Sequence, residues 1–209
     1  DINIYKLIIG QITPINSIQS SCVENLDIIG SNVNLSGLEV ETANDPNRAF
    51  LLKEILNNPN NNFFQKYENI FIDCPPSLSL LTVMSLVVAD ELLVPLQTEF
   101  FALEGISQLV KTIERIKVNL NPSLSIRGIL LTMFDKRNKL SSQVDDEARK
   151  FFKEKVFQTV IPRNVRLSEA PSHGVPCILY DKGCLGSQSY LSLAEEFIKQ
   201  RSTLSEGRG

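Results

Sequence analysis

The sequence predicts an α/β fold: a mostly parallel sheet with helices on both faces. Three observations carry that prediction. Short apolar runs alternate with stretches of helical spacing, the runs are nearly continuously apolar, and they end on polar or turn-forming residues. Strands buried on both faces have this composition because helices cover each side of a parallel sheet.

The elements follow in order. Leu26-Asp27-Ile28-Ile29-Gly30 is a short apolar run closed by glycine, and residues 48–56 have helical spacing. Residues 57–62, with Pro59 among asparagines, form a polar connection that has nothing to bury. Ile70-Phe71-Ile72 reads as a buried strand ending at Asp73, and Pro75-Pro76 stops it by removing two backbone donors. Residues 80–89 are helix-compatible, and 92–96 form a second buried strand. Leu103, Ile106, Leu109, Val110, Ile113, Ile116 and Leu120 recur at three- and four-residue steps opposite Lys111, Glu114, Arg115 and Lys117, which predicts one long helix with a single apolar face. Residues 126–132 read as a strand, and Ser141 or Ser142 caps a helix running to Phe152. Residues 156–161 read as another strand stopped by Pro162, 178–180 as a last short strand, and 187–199 as a helix with Tyr190, Leu191, Ala194, Phe197 and Ile198 on one face. Residues 1–201 are expected to form a single domain and 202–209 a frayed polar tail.

With 209 residues and 43% apolar content, the chain has enough material for a substantial core. A formal charge of -3 and a pI near 5.3 exclude a global basic footprint, so any nucleic-acid contact has to come from a local patch. Cys22, Cys74, Cys177 and Cys184 form no C-x-x-C pair, and no apolar run has the length of a secretory or membrane-spanning segment. A reducing cytoplasm is the expected compartment. His173 is the only histidine, which excludes a His-rich zinc site and leaves a Ser-His-Asp triad dependent on one loop residue.

Ligands of open parallel sheets gather beyond the carboxyl ends of the strands, where Asp73, Gln97, Asp135 and the Pro162-Arg163-Asn164 turn are expected on one rim. A strand-end aspartate suits a hard cation held through water, but on its own it is more often a turn cap. Lys136, Arg137 and Lys139 follow one strand, and Arg163 and Arg166 follow the next. Two adjacent strand ends can therefore build one basic patch for phosphate contacts, with ordinary solvated charge as the alternative. No glycine is followed by lysine, so the phosphate-cradling pattern G-x-x-x-x-G-K-[ST] is absent from these 209 residues.

Four blocks, IFIDCPPSLSLLT, VPLQTEFFALEGISQLVKTIERIK, GILLTMFDKRNKLSSQV and TVIPRNVRLSEAPSHGVPCILYD, resemble the ParA/Soj chromosome- and plasmid-partitioning ATPases, deviant-Walker members of the P-loop NTPases. The likeness runs over about residues 25–198. It implies a protein that binds ATP and Mg, closes into a homodimer in its ATP state, binds DNA nonspecifically and is stimulated by a ParB-type centromere-binding partner. It also implies a cytoplasmic, nucleoid-associated location and no membrane contact. By the same resemblance Asp73 steadies magnesium through water, residues 77–81 begin the segment that responds to the γ-phosphate, Pro162 and Asn164 lie near the adenine, and Arg137 and Arg166 contact DNA.

The family's first strand, its glycine-rich loop and the helix that the loop opens have no counterpart here. The expectation is an N-terminally truncated chain that by itself neither binds ATP tightly nor hydrolyses it, because phosphoryl transfer rests on the positioning and charge those parts supply. A degenerate, non-catalytic paralogue that keeps DNA or partner contacts is the alternative. A MinD-type membrane relative would need a C-terminal amphipathic helix, for which KQRSTL at 199–204 is too polar and short. An iron–sulfur relative would need a cluster-binding cysteine pattern, which the four scattered cysteines do not offer.

Overall fold

The computed structural model describes residues 2–59, 62–75, 77–100 and 102–206, with Pro76 and 207–209 of the expected turn and tail lying outside that set. The chain forms two compact units, Asp1–Asp90 with Ile113–Leu124, and Glu91–Thr112 with Ser125–Gly209.

The first unit is mostly short helices. Helix α1 (Ile4–Ile8) starts where Asn3 accepts the Lys6 amide on its side-chain oxygen at 3.0 Å, and α2 (Pro14–Ser17) opens on proline, whose missing N–H costs nothing there. Strands β1 (Gln19–Ser20) and β2 (Asp27–Ile28) pair antiparallel, with Gln19 opposite Ile28. Helices α3 (Leu38–Glu41) and α4 (Leu51–Leu56) follow, the latter entered through a 3-10 turn at Arg48–Phe50, and then α5 (Leu80–Val88). Leu38, Leu52, Leu80 and Met84 form the core, with Ile4, Tyr5, Leu51 and Ile72 packed against it. The buried Asn121 amide donates to the carbonyls of Leu86 (2.9 Å) and Ala89 (2.8 Å), satisfying acceptors that the end of α5 leaves open.

The strand expected at 70–72 is not formed. Ile72 packs on the core, while Ile70 and Phe71 are 48% and 75% exposed, and residues 70–72 belong to neither sheet formed among the described residues. The run has strand composition, but an extended segment becomes a strand only when a neighbour takes up its backbone groups.

In the second unit β3 (Glu91–Gln97) is followed by α6 (Ala102–Asn119), β4 (Ser125–Thr132) and α7 (Lys139–Phe152). Helix α6 crosses from the second unit's range into the first's, and the Leu103 side chain lies outside the described set. Strands β3 and β4 are parallel, with Val94 opposite Ile129 and Gln97 opposite Thr132. Val94, Leu96, Ile106, Ile129, Leu131, Val144 and Ala148 form one core, and Leu130, Phe157, Ile161 and Leu193 form another. Successive residues of β4 thus enter different cores, which is why its sequence is continuously apolar.

Three local expectations are corrected here. Helix α7 is capped by Asn138, whose side-chain oxygen accepts the Leu140 amide at 3.0 Å, while Ser141 is buried within the first turn. Residues 156–161 form no strand and make one isolated parallel bridge, Val156 with Ile129: the Phe157 amide donates to Ile129 O (3.0 Å) and the Ile161 amide to Leu131 O (2.8 Å). Four residues there span what two span on β4, because the Gln158 and Thr159 amides donate to the Glu196 carboxylate at 2.7 and 2.9 Å instead. The last predicted strand, at 178–180, is a helical turn, α9 (Cys177–Tyr180). Pro176 sets the entry with φ -67 and ψ 149, and the Asp181 amide closes the turn on Cys177 O at 2.8 Å.

Between them lies α8 (Val165–Glu169), and the last element among the described residues is α10 (Leu185–Glu206), whose backbone continues into residues expected as tail. The buried Arg127 guanidinium fastens α10 to β4, donating to Phe197 O at 2.9 Å and lying 4.8 Å from the Phe197 ring centroid. Among the described residues no helix is long and apolar enough to cross a membrane.

Candidate functional site

The second unit brings the ends of β3 and β4 together with the end of the bridged 156–162 segment. Beyond Gln97, the Thr98 amide donates to Thr132 O at 3.1 Å and the Thr98 hydroxyl lies 3.2 Å from the Ser141 hydroxyl, both side chains being 2% exposed. This buried knot ties the ends of β3 and β4 to the first turn of α7. Met133 then takes a left-handed φ of 55, which turns the chain out of β4. Phe134 pairs with Pro162: its amide donates to Ile161 O at 3.1 Å, and the Arg163 amide returns to Phe134 O at 3.0 Å. The Asp135 turn and the Pro162-Arg163-Asn164 turn are therefore neighbours.

Each arginine of this rim is held by a carboxylate. Asp135 accepts the Arg137 amide (3.0 Å) and Nε (3.1 Å) on one oxygen and Nη2 (3.0 Å) on the other, a two-pronged fork. These bonds hold the Asp135 carboxyl down at about 2, with the Arg163 charge adding to the effect, and they raise Arg137. The Arg137 side chain is nevertheless 90% exposed. Arg163 reaches Glu99 at 3.3 Å. Arg166 pairs with Glu169 (2.8 Å) and Asp181 (3.4 Å), and the bond to Glu169 is the main cause of its raised pKa. Lys136 and Lys139 are exposed and enter no ion pair among the described residues.

Asn164 accepts the Arg166 amide at 2.9 Å and caps α8, so its side-chain oxygen is committed to structure. Pro162 is half-buried beside it. A cleft of about 560 Å³ opens beside Gln97, walled by Val94, Leu96, Phe100, Ile106 and Leu109.

Asp73 belongs to the first unit, where it is exposed at the end of the 70–73 segment, which lies outside the two sheets formed among the described residues. Among the described residues no group of three or more His, Cys, Asp or Glu side chains is arranged to hold a metal ion. The donors present therefore fit one water-mediated contact from Asp73 and do not fit an all-protein magnesium cage, and no glycine-lysine pair supplies a phosphate cradle. In the 77–81 stretch, the Thr82 hydroxyl donates to Ser77 O at 2.5 Å and anchors the approach to α5.

Sequence reasoning missed Thr98, Asn138 and Glu196. Asn138 had a readable signal, an asparagine directly before a helical stretch. Thr98 and Glu196 act across long separations in sequence and left none.

The comparisons with known proteins agree with this architecture. The AAA domain family model matches residues 1–126. The chromosome partitioning protein ParA of Caulobacter vibrioides (strain NA1000) is 46% identical over 197 residues, 94% of this chain and 73% of that protein. The sporulation initiation inhibitor protein Soj of Bacillus subtilis (strain 168) is 46% identical over 193 residues, 92% of this chain and 75% of that protein. This chain belongs to the ParA/Soj family of chromosome-partitioning proteins. A third member, the chromosome-partitioning ATPase Soj of Treponema pallidum, is 44% identical over 198 residues, covering 94% of this chain and 76% of that one.

Solved structures extend the likeness beyond the ParA/Soj proteins to the P-loop NTPase fold. Cobyrinic acid a,c-diamide synthase from Mycobacterium smegmatis, crystallised with ADP and magnesium, superimposes with a TM-score of 0.77 at 25% identity over 96% of this chain and 72% of that one. The cell division ATPase MinD of Pyrococcus furiosus gives 0.74 at 20% identity, over 96% of this chain and 76% of that one, a likeness of fold alone.

Proposed function

We propose that this ParA/Soj-family chain serves a partitioning switch, an ATP-dependent dimer that uses nonspecific DNA as a surface and is stimulated to hydrolyse ATP by a ParB-type partner. In this reading Asp73 steadies Mg through water, Pro162 and Asn164 flank the nucleotide, and Arg137 and Arg166 contact DNA phosphates. The carrying observation is the pairing of Phe134 with Pro162, which sets two turns bearing Lys136, Arg137, Lys139, Arg163 and Arg166 side by side on one rim. Cations on two adjacent turns suit a phosphate backbone, which needs positive charge and no base readout.

The 209-residue chain by itself does not turn over ATP, because phosphoryl transfer depends on a positioned phosphate cradle and the sequence contains no glycine followed by lysine.

The test is a salt titration of binding to random-sequence duplex DNA, with and without Mg·ATP, using the chain and its Arg137→Ala variant. Removing one phosphate-binding cation should flatten the slope of log K against log salt by about 0.9. The expected result is salt-sensitive binding whose slope falls by about that amount in the variant. An unchanged slope removes Arg137 from the DNA surface. Full binding that ignores ATP favours the non-switching paralogue.

A further inference from the structure

Outside that rim, two thiols that are seven positions apart in sequence come together. Cys177 opens α9 and Cys184 immediately precedes α10, and their sulfurs lie 3.6 Å apart. Both side chains are half-buried. Ser187, fully buried, organises the pair: its amide donates to the Cys184 sulfur at 3.3 Å, its hydroxyl lies 3.4 Å from the same sulfur, and that hydroxyl donates to Asp181 O at 2.7 Å. Cys184 thus occupies a helix-capping place, with a backbone N–H and the positive end of a long helix directed at its sulfur.

We propose that Cys177 and Cys184 are an oxidisable dithiol, a modification site at which hydrogen peroxide closes an intramolecular disulfide across the α9–α10 turn. The geometry supports it because a disulfide needs sulfurs at about 2.05 Å, so the pair has about 1.5 Å left to close, within reach of side-chain torsions. The two thiols are also unequal. Burial raises Cys184, but the Ser187 hydroxyl and amide and the Cys177 thiol outweigh it and leave Cys184 below its ordinary value, whereas burial leads the causes that raise Cys177. Cys184 is accordingly the attacking group and Cys177 the resolving one.

The chemistry balances in two steps. The Cys184 thiolate attacks one peroxide oxygen; an S–O bond forms, the O–O bond breaks, and the departing hydroxide takes a proton to leave as water. The Cys177 sulfur then attacks the sulfenic sulfur; the S–S bond forms, the S–O bond breaks, and the hydroxide released leaves as a second water with the Cys177 proton. Two thiols are oxidised and one peroxide is reduced to two waters.

The same turn anchors a cation. Asp181 accepts the Gly183 and Cys184 amides, each at 3.1 Å, and its other oxygen faces Arg166 at 3.4 Å. Closing the disulfide fixes the turn from which Asp181 holds that arginine.

The experiment treats the 209-residue chain with hydrogen peroxide, counts free thiols, and reads the intact mass and the tryptic peptides. Lys182 lies between the two cysteines, so trypsin puts them on separate peptides that remain joined only by a disulfide. The expected result is loss of two of the four thiols, a mass decrease of about 2 Da, a linked Cys177–Cys184 peptide pair, and full reversal by dithiothreitol. In Cys177→Ser the sulfenic acid should instead be trapped by dimedone on Cys184, and in Cys184→Ser the disulfide should disappear. Linkage through Cys22 or Cys74, a disulfide between chains, or overoxidation of Cys184 in the unmutated chain without a linked pair overturns the proposal.

Discussion

Replacing Gly128 by alanine drives a methyl group into Phe157 at a position whose backbone would otherwise accept it. The new Cβ would lie 2.4 Å from Phe157 Cε2, 2.9 Å from Cδ2 and 3.1 Å from the Lys155 carbonyl oxygen. Carbon atoms in good contact stand about 3.5–4.0 Å apart, so the ring would have to move by about 1 Å. Phe157 is 1% exposed, its amide is bonded to Ile129 O, and it packs with Leu130, Ile161 and Leu193, so it has nowhere to go without displacing that core. Overpacking of this kind costs about 1–3 kcal/mol. The φ of Gly128 is not positive, so alanine also restricts the unfolded chain and returns roughly 0.5 kcal/mol. The net expectation is a destabilisation of about 0.5–2.5 kcal/mol. Urea unfolding followed by circular dichroism measures it, and a Gly128→Ala/Phe157→Leu double variant isolates the cause. The smaller side chain leaves room for the methyl, so the double variant should be more stable than the sum of the single effects by about 1 kcal/mol. Strict additivity, or a Gly128→Ala variant that unfolds with the wild type, would refute the clash as the reason for glycine here.

Two further outcomes follow from single interactions. Burial first, and then the 2.5 Å bond from its hydroxyl to Asp27, push the Tyr67 phenol up to about 12. Its neutral form is the stabilised one, so its contribution to folding is fully present below pH 10 and is lost as the pH rises from there through about 12. An ultraviolet phenolate titration should show a component near pH 12 that disappears in Tyr67→Phe and moves to lower pH in Asp27→Asn; a titration unchanged in Tyr67→Phe contradicts the assignment. Glu196→Ala removes the acceptor of the Gln158 and Thr159 amides, a loss of about 1 kcal/mol for one exposed and one part-buried bond to a charged group. Hydrogen exchange at Thr159 should quicken, and unchanged protection there would mean that water or another acceptor already serves it.

Legibility in the sequence followed the range of the interaction. The long helix α6 and the strands β3 and β4 were readable because burial repeats along their own residues: Ile106, Ile113 and Ile116 sit at helical steps, and β4 is buried on both faces. The 70–72 run was misread because its composition specifies an extended chain while its status as a strand depends on a partner the composition cannot name. The 178–180 turn was misread because three apolar residues fit either a strand or a helical turn; Pro176 before them and the Asp181 turn after them decided it. At the site, the positions of the cations after each strand were legible, since sequence order alone delivers residues to strand ends. Of their carboxylate partners only the local ones were legible, Asp135 two residues from Arg137 and Glu169 three residues from Arg166; Glu99 meets Arg163 across 64 positions.

Those carboxylates change what the rim can do. A basic patch drawn from residue types has five cations, yet Arg137, Arg163 and Arg166 each face an acid, and only Lys136 and Lys139 stand outside the ion pairs among the described residues. Such a surface attracts phosphate weakly at long range, because each paired arginine presents little net charge beyond a Debye length of about 8 Å at physiological salt. At contact the pairing works in the other direction. The Asp135 fork already fixes the Arg137 guanidinium at the tip of its turn with 90% of the side chain exposed, so little rotamer freedom remains to be given up when a phosphate takes up its outward N–H groups. For the proposed DNA surface this means that the two unpaired lysines supply attraction and the held arginines supply positioned contacts. Substituting Lys136 should therefore act mainly on the rate of association, and substituting Arg137 on the rate of release.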